Sequence, residues 1–174
     1  MDGNKMRLRT QTDKEYCNDI MTAPPWQDKP DIIKDWGCLL TSFSNIIQMI
    51  TGCEYTPADL NKFLIDTKNY AFLAQGNAVK RGNESFILYD SIAEKWGLRI
   101  QNVPTGSYIK HPNTHYICRF SIKLGNAKTI SHYSNVMTEE VIHSRRYFEV
   151  FDVYSGETIM LPVSEITLLK EVVS

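Results

Sequence analysis

The stretch Trp36-Gly37-Cys38-Leu39-Leu40-Thr41-Ser42 puts a thiol at the start of the most strongly periodic apolar segment in the chain. Leu39, Phe43, Ile46, Ile47 and Ile50 recur at helical spacing through residues 37–51, and Gly52 supplies a stop just past the last of them. A cysteine at a helix N-terminus meets the positive end of the helix dipole and backbone N–H groups that lack an intrahelical acceptor. Both favour the thiolate, the form that attacks carbonyl carbon or binds a metal. Gly37 lets the chain turn tightly beside that sulfur and lets a substrate backbone approach. The competing reading of Cys38 is an inert core thiol, the commonest fate of a free cysteine.

A nucleophile of this kind needs a base. The histidines are His111, His115, His132 and His143. His132 opens an apolar strand pattern, Ser131-His132-Tyr133-Ser134-Asn135-Val136-Met137, and the next such pattern ends in Phe148-Glu149-Val150-Phe151-Asp152 before the turn Tyr154-Ser155-Gly156. The midpoint of 132 and 152 is 142, inside the polar residues 138–146 that are expected to form the intervening loop. A regular hairpin with that centre sets His132 nearly opposite Asp152, within ~5.5 Å at the Cα atoms. The carboxylate then orients the imidazole through Nδ1–H and leaves the other nitrogen for the thiol. Taken singly, a strand-end histidine and a turn-capping aspartate are ordinary structural residues. His111-x3-His115-x2-Cys118 has a superficial metal-ligand spacing, but Pro112 and Asn113 break any helix there, so no metal site is expected. No cofactor signature accompanies these residues.

The elements that must position them fall into two halves. Thr56-Pro57 starts a second helix, with Leu60, Phe63 and Leu64 on one face. A third is expected to open near Asn83-Glu84-Ser85, carry Phe86, Ile87, Ile92 and Ala93, and end at Trp96-Gly97. Residues 70–81, with Gly76 and Asn77, read as a surface loop that borders the cleft of an enzyme. From residue 98 the periodicity changes. Segments 98–103, 116–122, 130–137, 147–154 and 158–161 are short and rich in β-branched or aromatic residues, and Pro104-Thr105-Gly106, Gly125-Asn126 and Ser155-Gly156 separate them. Residues 162–173 are expected to add a short C-terminal helix. The fold class is α+β, with N-terminal helices packed on a C-terminal antiparallel sheet.

Composition narrows the function classes. The chain has 174 residues, 43% hydrophobic and 22% charged, which suits one domain over residues 1–174 with a loose N-terminal arm. A net charge of −1 and basic clusters no longer than Lys80-Arg81 and Arg145-Arg146 argue against nucleic-acid binding. No apolar run reaches the ~18 residues of a membrane helix. Residues 1–12 are polar and lack a signal-peptide core, so a cytoplasmic or virion-associated location is expected, with Cys17, Cys38, Cys53 and Cys118 as thiols.

Gly-Cys at a helix start, His-Tyr on a strand, then Asp followed by Ser-Gly resembles the papain-like cysteine peptidases, in the branch of the bacteriocin-processing (double-glycine leader) peptidases and their phage and cell-wall relatives. Gly37-Cys38-Leu39-Leu40-Thr41-Ser42 matches their Gly-Cys-x-x-Thr-Ser element. Gln11-Thr12-Asp13-Lys14-Glu15-Tyr16 matches their Gln-x-Asp followed by an aromatic residue. The likeness spans residues 6–161. It implies a papain-like fold, with Cys38 as nucleophile, His132 as general base, Asp152 as its orienting partner and Gln11 as side-chain donor to the oxyanion. Two features depart from it: Val153 stands where many relatives have Pro, and Gln27, nearer to Cys38 in sequence, is a rival donor. The other reading of Gln11 is a solvated terminal residue. The resemblance implies a peptide or peptidoglycan substrate and a place in a larger phage or cell-wall assembly, as a peptidoglycan endopeptidase or a maturation protease. Two alternatives remain: a non-catalytic structural domain of a virion that keeps the fold, and an acyltransferase or transglutaminase-like enzyme that uses the same triad.

Overall fold

A computed structural model describes residues 7–81, 83–123 and 129–174. The expected turn at Gly125-Asn126 lies outside them. Two short strands, β1 (Ile20–Thr22) and β2 (Asp31–Ile32), pair with each other and lead into α1 (Ile33–Trp36). Four further helices follow: α2 (Cys38–Thr51), α3 (Pro57–Asp66), α4 (Ala71–Gln75) and α5 (Asp90–Trp96). The second half supplies β3 (Arg99–Val103), β4 (Thr114–Lys123), β5 (Thr129–Ile142), β6 (Arg145–Phe151), β7 (Thr158–Pro162) and β8 (Leu168–Val173). These six form one antiparallel sheet in the order β3-β8-β4-β5-β6-β7. The protein is therefore a mixed helix-and-sheet fold in which the helices precede the sheet. No helix among the described residues is long and apolar enough to cross a membrane.

The helix boundaries follow local chemistry. Gly52 ends α2 in the left-handed conformation at φ +68°, the cap position that its absent Cβ makes accessible. At the start of α3, Thr56 and Asp59 form a reciprocal capping box and Pro57 occupies the first helical turn. Leu39, Leu40, Phe43, Ile46 and Ile47 bury the apolar face of α2 against Leu60, Leu64, Ile92, and the sheet residues Ile117 and Val172. Strand alternation sends Tyr116, Cys118, Phe120 and Leu169 to the opposite face, where they meet Val136, Phe148 and Val150 in a second core.

Several expectations are corrected. Within residues 162–173 only a single 3-10 turn, Val163–Glu165, is helical: β8 inserts between β3 and β4, and the buried Leu169 and Val172 face the two cores in turn. The third helix begins at Asp90 rather than near Asn83, because Ile87 is drawn into an isolated bridge with Tyr70. Residues 70–81 are only partly a surface loop, since Tyr70 and Ala71 are buried and Ala71–Gln75 is helical. The polar segment 138–146 is mostly strand. β5 and β6 run on to the pair Ile142 and Arg145, joined by His143 and Ser144 at φ +49° and +65°. Two consecutive left-handed residues give the tight turn whose twist matches a hairpin.

Candidate active site

The tip of α2 is held by a steric fit. Gly37 has an ordinary φ of −83°, so its glycine character is not a matter of backbone conformation. A Cβ there would lie 2.7 Å from Ile33 Cγ2 and 2.9 Å from Ile33 Cα, and would also meet the Ile33 carbonyl oxygen. Only glycine lets α1 fold this tightly onto the start of α2, where Cys38 sits half-buried. One turn on, Ser42 Oγ donates to the Cys38 carbonyl oxygen at 2.9 Å.

His132 lies on β5, 4% exposed, with Phe120 edge-on to its ring at 5.4 Å. The β5–β6 pairing runs only as far as Asn135 with Phe151, so β5 has no β6 partner at His132. Asp152 follows the last residue of β6 and reaches back diagonally. Its Oδ1 accepts from His132 Nε2 at 2.6 Å. The register pairs Val136 with Val150, so alternation keeps 132 and 152 on one sheet face. The hairpin arithmetic nevertheless needs correction. A bulge between Val136 and Thr138 and the turn at 143–144 shift the register, so the two residues are diagonal neighbours rather than opposite ones. The nitrogen facing the carboxylate is Nε2, not Nδ1, which leaves Nδ1 free of the carboxylate.

The electrostatics of this pair are coupled. Burial alone would lower the His132 pKa, but hydrogen bonds to Asp152 and to Cys38, with their charges, outweigh it and push the value up from 6.5 to about 9. Burial likewise opposes ionisation of Asp152. The His132 bond, the Tyr154 N–H at 3.0 Å, and the Ser155 hydroxyl at 2.7 Å overcome it and hold the carboxyl well below the usual carboxylate range. Tyr154 N–H and Ser155 were not singled out as site residues. Asp followed by Ser-Gly is nonetheless a turn signature in which side chains bind nearby backbone N–H groups, and it carried that signal.

Gln11 is buried at 3% exposure and is not a solvated terminal residue. Its backbone N–H donates to Val153 O at 2.7 Å, next to Asp152, and its Nε2 donates to Lys34 O at 2.6 Å, in the helix that leads into Cys38. Among the described residues, one N–H of the side-chain amide has no partner. The Asp13 and Tyr16 context has a structural basis: Asp13 O accepts from Tyr16 N and Cys17 N, while the buried Tyr16 donates its hydroxyl to Thr10 O at 2.9 Å. The structure thus gathers Gln11, Cys38, His132 and Asp152 into one neighbourhood, while no hydrogen bond joins Gln27 to any of the four among the described residues. Compared with known proteins, the chain matches no family model and no curated protein.

Proposed function

We propose that this chain is a cysteine peptidase of papain-like fold that cleaves an amide bond in a peptide or in peptidoglycan. The observation that carries the reading is the His132 imidazole, hydrogen-bonded to the Asp152 carboxylate and electrostatically coupled to the Cys38 thiol. A nucleophile at a helix tip, a base on the facing sheet and a carboxylate behind the base form an activated-nucleophile constellation. The helices packed on one face of an antiparallel sheet, with that thiol at the start of the central helix, support the papain-like assignment.

In the reaction, the Cys38 thiolate attacks the amide carbonyl carbon, and its proton resides on His132. The tetrahedral oxyanion takes hydrogen bonds from the uncommitted Gln11 N–H and from backbone N–H at the start of α2; each such donor is worth roughly 10²–10³ in rate. The C–N bond breaks as His132 gives its proton to the leaving amine. Water, deprotonated by the now neutral imidazole, then hydrolyses the thioester and restores the thiol. All the groups required belong to this chain, so the reaction needs no cofactor.

The test is release of new amino termini from purified cell wall and from a mixed protein digest, each with and without a chelator. The wild-type protein is expected to release them in both conditions, and Cys38→Ala in neither. Undiminished release by Cys38→Ala contradicts the proposal, and activity lost to the chelator points to a metal hydrolase.

A further inference from the structure

The N-terminal arm is tethered from residue 7 onward. Gln48 Nε2 donates to Arg7 O at 2.9 Å. Asn45 grips both backbone polar groups of Arg9: Asn45 Oδ1 accepts from Arg9 N at 2.7 Å, and Asn45 Nδ2 donates to Arg9 O at 3.1 Å. The second proton of the same Nδ2 goes to Asn135 Oδ1, also at 3.1 Å, and Asn135 Nδ2 donates to Ser42 O at 2.9 Å. Asn45 is 0% exposed and Asn135 1%.

Every hydrogen-bonding group of the Asn45 amide except one lone pair is thereby used, in a setting where a lost partner leaves a buried polar group unsatisfied. Its three attachments are the segments that carry the site. Arg9 precedes Gln11 by two residues, Asn135 follows His132 by three, and Asn45 lies two turns along the helix that begins at Cys38. A satisfied buried polar network of this kind fixes one geometry for the elements it joins.

We infer that Asn45 is a positioning residue that sets the Gln11 amide against the Cys38 helix. The inference rests on the peptidase reading for its kinetic consequence and on the hydrogen bonds alone for its structural one. Gln11 is anchored on one side by Val153 and Lys34. Upstream, Thr10 O accepts from the Tyr16 hydroxyl, and the arm is tied to α2 at Arg9 by Asn45 and at Arg7 by Gln48. Loss of the clamp frees the arm that carries Gln11 from the middle of α2, while Asn135 keeps its bond to Ser42 O and so holds the His132 strand to the Cys38 helix.

The experiment is a double-mutant cycle on Gln11→Ala and Asn45→Ala, read by amide turnover, by alkylation of Cys38 with iodoacetamide, and by amide hydrogen exchange at Arg9 and Gln11. Asn45→Ala is expected to lower kcat by about 10²-fold, the size of one lost oxyanion donor, with KM little changed. Alkylation, which develops no oxyanion, is expected to stay within about threefold of wild type, while exchange at Arg9 and Gln11 accelerates. The double variant is expected to be no slower than Gln11→Ala alone, since both remove the same interaction. Losses that multiply, alkylation that falls in step with turnover, or exchange unchanged in Asn45→Ala would each overturn the inference. Should Asn45→Ala fail to fold, Asn45→Asp keeps the acceptor for Arg9 N and removes both donors, and the same turnover and alkylation pattern, with faster exchange at Gln11, is required of it. The exchange measurement separates the two claims: faster exchange with no turnover even in wild type keeps the clamp and rejects the peptidase.

Discussion

Two thiols flank the strand that carries His132, and they live in opposite chemical worlds. Cys118 lies on β4 in the centre of the sheet, 0% exposed, with its sulfur 3.6 Å from Ser134 O, and burial pushes its thiol up to about 12. Cys38 sits half-buried at the tip of α2, electrostatically coupled to the His132 imidazole. The same functional group is a core filler in one place and a candidate nucleophile in the other. What differs is supplied by other residues: a helix start, a steric notch at Gly37 and a base held by a carboxylate. Neither burial nor the cysteine itself makes the site.

The comparison can be broken most severely at the base. His132→Ala is expected to remove the proton carrier on which only Cys38 depends, lowering amide turnover toward the upper end of the roughly 10²–10⁴ that a positioned acid–base supplies. Turnover within a few-fold of wild type would mean that the two thiols do not differ in the way described. Asp152→Asn is expected to act more gently, near the lower end of that range, because it misorients the ring without removing it. It also carries a pH signature. With Asp152 ionised, His132 stays protonated up to about 9, so turnover in wild type is expected to fall as pH rises through that value. Without the carboxylate the raising influence is weakened and the alkaline limb moves to lower pH. An unmoved limb assigns it to another group.

The same pair predicts the pH dependence of stability. The folded His132 pKa of about 9 exceeds its ordinary 6.5, so its contribution is complete below about 6.5 and is lost as pH rises towards 9. Asp152 is shifted the other way. Its contribution is complete above the ordinary carboxylate value of 3.8 and is lost as pH falls below it. Denaturant midpoints across these windows are expected to vary less in Asp152→Asn than in wild type. The smallest effect belongs to the other thiol. Cys118→Ala is expected to leave turnover unchanged and to cost about 1–2 kcal/mol of stability, the scale of a modest core truncation, read from urea melts.

The difference between the thiols was partly legible in the sequence. Gly37-Cys38 ahead of an apolar 3.6-residue period places the sulfur at a helix tip, because both signals are local. His132 and Asp152 were readable as a pair from the hairpin midpoint, although the bulge at 136–138 and the turn at His143-Ser144 hid the true register, and the ring nitrogen involved was misassigned. Residues 168–173 were not readable as a strand. Leu168, Leu169, Val172 and Val173 also fit one face of a helix, and the choice is made by β3 and β4, far away in sequence. The Asn45–Asn135 contact spans 90 residues and joins two side chains whose type suggests solvent. Only the folded chain brings them together.

The account stands or falls on the reactivity of one sulfur. Limiting iodoacetamide at neutral pH, followed by peptide mapping, measures the modification rate of all four cysteines in one sample. Cys38 is expected to react fastest, ahead of the exposed Cys53, with the buried Cys17 and Cys118 slowest, and His132→Ala is expected to bring Cys38 down to the rate of Cys53 or below. A Cys38 no faster than Cys53 in wild type, or a rate indifferent to His132, would contradict the claim that these residues form an activated nucleophile.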